Sequence, residues 1–210
     1  MRHLQRLGKP QILVDKEVQW TEKFIESNKD RPNSKQYGHN VIKETLCNIS
    51  HNKCFYSEVK FAGPTEAQVD HYIEVSEDKT KAFEWENLYL SHKESNIGKP
   101  SNIALPNSSC LDPFLDEDTT IEANLHFEDE QIFSLSERGL NTIKKYKLNK
   151  PIYDTMRTAE LKKFNKIIYE IALQNRELND ELRDILTSFA MPDRPFSLMF
   201  KKLLTKHGLL

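Results

Sequence analysis

The stretch QVDHYIEVSEDKTKAFEWENLYLSHKESNIGKPSN, residues 68 to 102, decides how the chain is read. It sets Asp70 beside His71, then supplies Asn87, and ends in a polar Ser-Asn-x-x-Lys run that contains Asn96 and Lys99. Two readings compete: a metal-dependent phosphodiesterase site, or a polar hairpin that carries one histidine. Phosphodiester hydrolysis brings a poor nucleophile to an anionic centre. It calls for a divalent ion on the phosphoryl and leaving oxygens and a neutral imidazole to take the proton of water. A hard oxygen ligand next to a base meets that need. Neighbouring strand residues point to opposite faces, so Asp70 and His71 serve two positions only where the strand twists or lies in a cleft.

Each of these residues also has a plainer role. Asp70 can cap a turn or pair with a lysine, and Asn87 can simply form a loop. Asn96 can cap a helix start. Lys99, on nearly the same helical face, can be a surface lysine. His71 by itself is more often a satisfied polar histidine than a base.

The surrounding chain has 210 residues, 38% hydrophobic and 30% charged, with six glycines and nine prolines. That is enough for one substantial domain with a real core, and too little Gly and Pro for a linker-dominated chain. The formal charge of −2, from 30 basic and 32 acidic residues, excludes a strong overall pull on nucleic acid. Lys144, Lys145, Lys147 and Lys150 follow an acidic run from Asp116 to Glu130, and a solvated charged face is the simpler reading of both. Three irregularly spaced cysteines, Cys47, Cys54 and Cys110, argue against a disulfide scaffold and for a reducing compartment. No run approaches the roughly 20 apolar residues of a membrane span. The expected location is the cytoplasm.

Along the chain, residues 1–50 read as a helical lead-in. QILV is expected to be extended. The next run carries Val18, Trp20, Phe24 and Ile25 on an amphipathic helix, and a second helix buries Val41, Ile42, Leu46 and Ile49 behind an Asn40 cap. Residues 51–105 change character, with a short hairpin arm in CFYSEVKFAG, a strand in AQVDHYIEV, and Phe83, Trp85, Leu88 and Leu90 as anchors. Residues 106–210 hold two strands, ANLHFE and QIFSLS, then a helix from SERGLNTIKKYKL. A long helical pattern begins near Thr158, a break falls near Asn175, Leu178 to Leu186 extend the pattern, and a last helix follows Pro195.

The quoted stretch resembles the ββα-metal fold of HNH nucleases. With LCNISHNKCFYSE, EWENLYLS, LDPFLDED, SERGLNTIKKYKLNK and RPFSLMFKK, it is similar to the HNH subunit family called PtuB, found in Septu antiphage systems and some retron defence loci. The similarity runs over roughly residues 40 to 205. It implies an α+β fold in which a ββα-metal core is embedded in a mainly helical domain. It also implies a metal-dependent endonuclease, with His71 as general base, Asn87 orienting it, Asp70 and Asn96 as metal ligands, and Lys99 facing phosphate.

Arg138 lies in a segment patterned like the family and either holds phosphate, which suits a guanidinium, or ties the C-terminal helices to the acidic run. Carboxylate, carboxamide and water ligands suit Mg2+ or Mn2+. The family's two Cys-x-x-Cys pairs are represented by Cys54, Ser57, His92 and Ser95, two strong ligands out of four, so no tight structural zinc is expected. The knuckle would be held instead by Phe55, Tyr56 and Trp85 and by bonds from the serines, with Glu58 either bonding the hairpin or approaching the cleft. The implied partners are a PtuA-like ABC-type ATPase, a DNA or RNA substrate and, where a retron is present, its reverse transcriptase and RNA-linked DNA.

Two other functions remain in view. One is a catalytically decayed HNH-like subunit with an assembly or sensor role in the same kind of complex, to which the missing zinc cysteines point. The other is nucleic-acid binding without cleavage, for which the balanced charge lacks a basic stripe.

Overall fold

In the computed structural model of the chain, residues 1–61, 63, 66–173 and 178–210 are described. Pro10 opens the first helix, α1 (Gln11–Glu26), where the N–H that proline lacks has no helical partner to lose. QILV is therefore the first turn of α1, and the extended reading is corrected. A four-residue apolar run has no period of its own, and Leu13 falls on the same stripe as Phe24, with both buried. Val18 and Ile25, expected in the core, lie on the outer face at 71% and 45% exposure. After the one-turn α2 (Ser34–Tyr37), α3 (Asn40–Ile49) is capped by His39 rather than Asn40, the His39 Nδ1 accepting from Val41 N–H at 3.3 Å. Ile42, Leu46 and Ile49 are buried, and Val41 is exposed.

The segment 53–60 folds back on itself. An isolated bridge joins Lys53 to Lys60, Cys54 N–H donates to Val59 O, and Glu58 adopts a φ of +60° at the turn. Strands β1 (Gln68–His71) and β2 (Leu88–Ser91) pair antiparallel, with Asp70 opposite Tyr89 and His71 opposite Leu88. The strand expected over AQVDHYIEV stops at His71 because the backbone beyond it bonds to side chains. Ile73 N–H and C=O go to the Asn87 carboxamide, and Tyr72 C=O accepts from Asn107 Nδ2. A single helical turn, α4 (Lys93–Asn96), follows β2.

The order strand, strand, helix is thus present, but the ββα-metal expectation is corrected. Among the described residues no group of three or more His, Cys, Asp or Glu is placed to hold a metal ion. The fold is mixed α+β and mostly helical, with two small antiparallel sheets.

The second sheet matches the two strands expected between residues 123 and 136. β3 (Leu125–Glu128) follows α5 (Asp118–Asn124) and pairs with β4 (Gln131–Ser134) across a turn in which Asp129 takes positive φ. Ser136 caps α6 (Glu137–Tyr146), its hydroxyl accepting from Gly139 N–H at 3.0 Å. A Cβ on Gly139 would stand 2.1 Å from Asn124 O, so only glycine fits. α7 (Pro151–Leu173) starts earlier than Thr158 because proline is well suited to a first helical turn. The break expected near Asn175 lies outside the described residues. α8 (Asp180–Thr187) is capped by Asn179 and buries Leu182 and Leu186, while Leu178 and Ile185 remain exposed. α9 (Ser197–Lys206) buries Leu198, Met199, Phe200 and Leu204 and packs on β3.

One apolar cluster runs from Leu13 through Trp85 and Tyr146 to Leu204. Tyr146 of α6 stacks on Tyr56 at 3.7 Å between ring centroids, and Tyr72 stacks on Tyr89 at 4.7 Å. Among the lysines read as a solvated face, Lys145 is wholly buried and donates to Leu105 O, which corrects that reading for this residue. Lys147 donates to Ile97 O, and Lys150 pairs with Glu94. Among the described residues, no helix is long and apolar enough to cross a membrane.

Candidate functional site

A cleft of about 650 Å3 opens where β1 meets the turn after α4, lined by Arg31, Tyr37, Asp70, His71, Glu74 and Lys99 among others. Gly98, at φ +64°, turns the chain so that Lys99 doubles back over β1. The Lys99 ammonium then lies 2.8 and 2.7 Å from the two Asp70 carboxylate oxygens and 3.1 Å from His71 O. Its three N–H donors thereby meet three acceptors. Tyr56 O–H donates to the same carboxylate at 3.2 Å. Both charged side chains are about 95% buried, at 6% and 5% exposure. The ion pair is closed: the carboxylate is neutralised from within the chain.

His71 sits beside it. Its Nε2 is 2.8 Å from Ala82 O, and a carbonyl only accepts, so this nitrogen carries the proton and Nδ1 keeps the lone pair. The ring meets the edge of Tyr37 at 4.8 Å. Burial pulls its pKa below the ordinary value, with Lys99 adding to that effect while the Ala82 hydrogen bond and Asp70 oppose it. The ring is therefore neutral at pH 7.

Asn87 is spent on the backbone. Its Nδ2 donates to Ile73 O at 3.0 Å and Lys81 O at 2.9 Å, and its Oδ1 accepts from Ile73 N–H at 2.6 Å. It staples the loop whose Ala82 carbonyl holds His71. Asn96 is the last residue of α4 and donates to Gln68 Oε1 at 3.2 Å at the rim of the cleft. Arg138 lies elsewhere. Its fork grips both Asp116 oxygens at 2.7 Å each, and its Nε donates to Cys110 O.

The four degenerate knuckle positions meet around a side chain that sequence reasoning missed, the Tyr153 phenol in the first turns of α7. Its hydroxyl lies 2.7 Å from Ser95 Oγ and 3.2 Å from His92 Nδ1. Ser57 N–H donates to Cys54 Sγ at 3.4 Å. Tyr153 is fully buried, and burial pushes its pKa up. A phenol from a distant helix thus joins His92 and Ser95, while Phe55 and Tyr56 pack nearby against Tyr89. No motif in PIYDTM marks it. Glu58 accepts from Lys53 Nζ at 3.0 Å, Ser197 Oγ at 2.6 Å and Leu198 N–H at 3.2 Å, and so joins the hairpin to α9.

Neither a protein-family model nor a curated protein matches the chain. The expectation of a metal-dependent HNH endonuclease holding Mg2+ or Mn2+ between Asp70 and Asn96 is corrected. No metal-holding group of donors exists among the described residues, and Asp70 already bonds a lysine. The expected likeness to the PtuB nuclease subunits of Septu and retron systems likewise draws nothing from the comparisons.

Proposed function

We propose that this chain is a catalytically decayed HNH-like subunit with an assembly or sensor role in a defence complex organised around an ABC-type ATPase. The observation that carries the reading is the Lys99 ammonium seated against both oxygens of Asp70. A carboxylate so placed gives the core a buried ionic tie rather than a seat for a second cation. What survives is scaffolding: the Asn87 staple, the Tyr153 hub and the tyrosine stacks hold a small hairpin rigidly against α6 and α7. The PtuB-like pattern of segments supports the choice of partner. A cytoplasmic location accords with the three unlinked cysteines.

The test is co-expression with a PtuA-like ATPase, followed by measurement of complex formation and of cleavage of duplex and single-stranded DNA and RNA with magnesium or manganese. Formation of the complex, with no cleavage that depends on His71, supports the reading. Cleavage that vanishes in His71→Ala removes it.

A further inference from the structure

A groove of about 710 Å3 lies between α7, α8, the turn after α8 and the end of the 53–60 hairpin. Its lining is mainly apolar and includes Val59, Met156, Ile167, Phe189 and Phe196. Phe189 is held in place by Phe164 at 5.2 Å and Phe200 at 5.0 Å, so the wall is preformed rather than collapsed. The size falls within the range of about 300–1,000 Å3 typical of ligand sites.

Ile185 on its wall is 40% exposed. An open groove whose wall keeps an exposed isoleucine suits a length of polypeptide better than a small enclosed ligand.

The lining charges set the sign of the occupant. Lys60, Lys163 and Arg194 stand at the groove against a single Glu160. Glu160 is paired with Lys163, and Lys60 Nζ donates to Asp193 O, a neutral acceptor. Arg194 makes no side-chain hydrogen bond or ion pair among the described residues. The rim therefore carries an excess of positive charge over an apolar floor, which is complementary to an amphipathic segment bearing carboxylates.

We infer that this groove is a docking site for an acidic amphipathic peptide segment of a partner protein. A bulky aliphatic or aromatic side chain fills the floor beside Phe189, and its flanking carboxylates meet Arg194 and Lys60. The inference goes beyond the assembly reading, since it names a surface and a partner chemistry without requiring that the partner be an ATPase.

The test is selection of a random-peptide display library on the full chain, followed by titration of one selected synthetic peptide. Arg194 and Ile185 are exposed, so Arg194→Glu and Ile185→Asp are expected to keep the wild-type circular dichroism spectrum. The expected result is a consensus of a bulky apolar residue flanked by Asp or Glu, with binding weakened roughly tenfold or more by each substitution and weakened by salt. The inference is overturned if nothing is enriched, if the consensus is basic or uncharged, or if neither substitution changes the affinity. It is equally overturned if oleate displaces the peptide while binding more tightly, or if sedimentation finds a dimer that Ile185→Asp turns into a monomer. None of these readouts uses metal, nucleic acid or the ATPase, so failure here is separate from failure of the assembly reading.

Discussion

Lys99 donates to both carboxylate oxygens of Asp70, at 2.8 and 2.7 Å, and the two side chains are almost completely buried. An ion pair removed from water is stable only while both partners remain, because the survivor of a single deletion is a buried, uncompensated charge. Lys99→Met is therefore expected to lose about 3–5 kcal/mol of unfolding free energy in urea titration. Lys99→Met combined with Asp70→Asn is expected to recover a large part of the loss. Equal destabilisation by the single and double variants would show that the two charges do not act as a pair.

The protonation of His71 sets a pH dependence. Its folded pKa lies below the ordinary value because of burial, so the unfolded chain binds the additional proton. Stability is then full above the unfolded pKa of about 6.5 and falls as pH drops below it toward the folded value. The groups facing the ring are Tyr37, Ala82 O, Asp70 and Lys99. His92 shifts in the same direction, again through burial, so His71→Gln should remove only part of the slope. The expected result is a smaller stability difference between about pH 7.5 and 5.5 in His71→Gln than in the wild type, from urea titrations at each pH.

Tyr153 gathers the knuckle positions, and removing its hydroxyl strands the partners it serves. Tyr153→Phe keeps the ring and leaves Ser95 and His92 without their shared partner. A loss of about 1–3 kcal/mol is expected from the buried Ser95 hydroxyl, whereas the half-buried His92 keeps the Glu94 N–H. The check is denaturant unfolding, together with faster hydrogen exchange in residues 92–96. A neutral outcome would mean that packing alone holds the knuckle.

Among the described glycines, Gly139 has the closest backbone neighbour to an added Cβ. An added Cβ would lie 2.1 Å from Asn124 O, a backbone atom that moves only with the end of α5 and the start of β3. Gly139→Ala is expected to cost at least about 1–3 kcal/mol, the usual range for overpacking, despite alanine's better helix propensity. Thermal unfolding decides the sign.

Much of this arrangement was legible where the signal was local. Periodicity gave a helix in SERGLNTIKKYKL, two strands in ANLHFE and QIFSLS and a last helix after Pro195, where α6, β3, β4 and α9 stand. QILV misled because so short an apolar run carries no period, and Pro10 decided it in favour of helix. The family resemblance implied that Asp70, His71, Asn96 and Lys99 share one site, and they line one cleft, yet the sequence left open whether Asp70 faced a metal or a lysine. That choice depends on the turn at Gly98, which aims Lys99 back at β1. Tyr153 and the Arg138–Asp116 fork depend on contacts between distant elements, which no spacing within one segment encodes.

The most direct test of the decayed-site reading is a Mn2+ titration of the purified chain followed by electron paramagnetic resonance, beside Asp70→Asn. With Lys99 neutralising Asp70, the expected result is that Mn2+ stays free in both proteins and that Asp70→Asn changes nothing. One tightly bound Mn2+ per chain in the wild type, lost in Asp70→Asn, would contradict it.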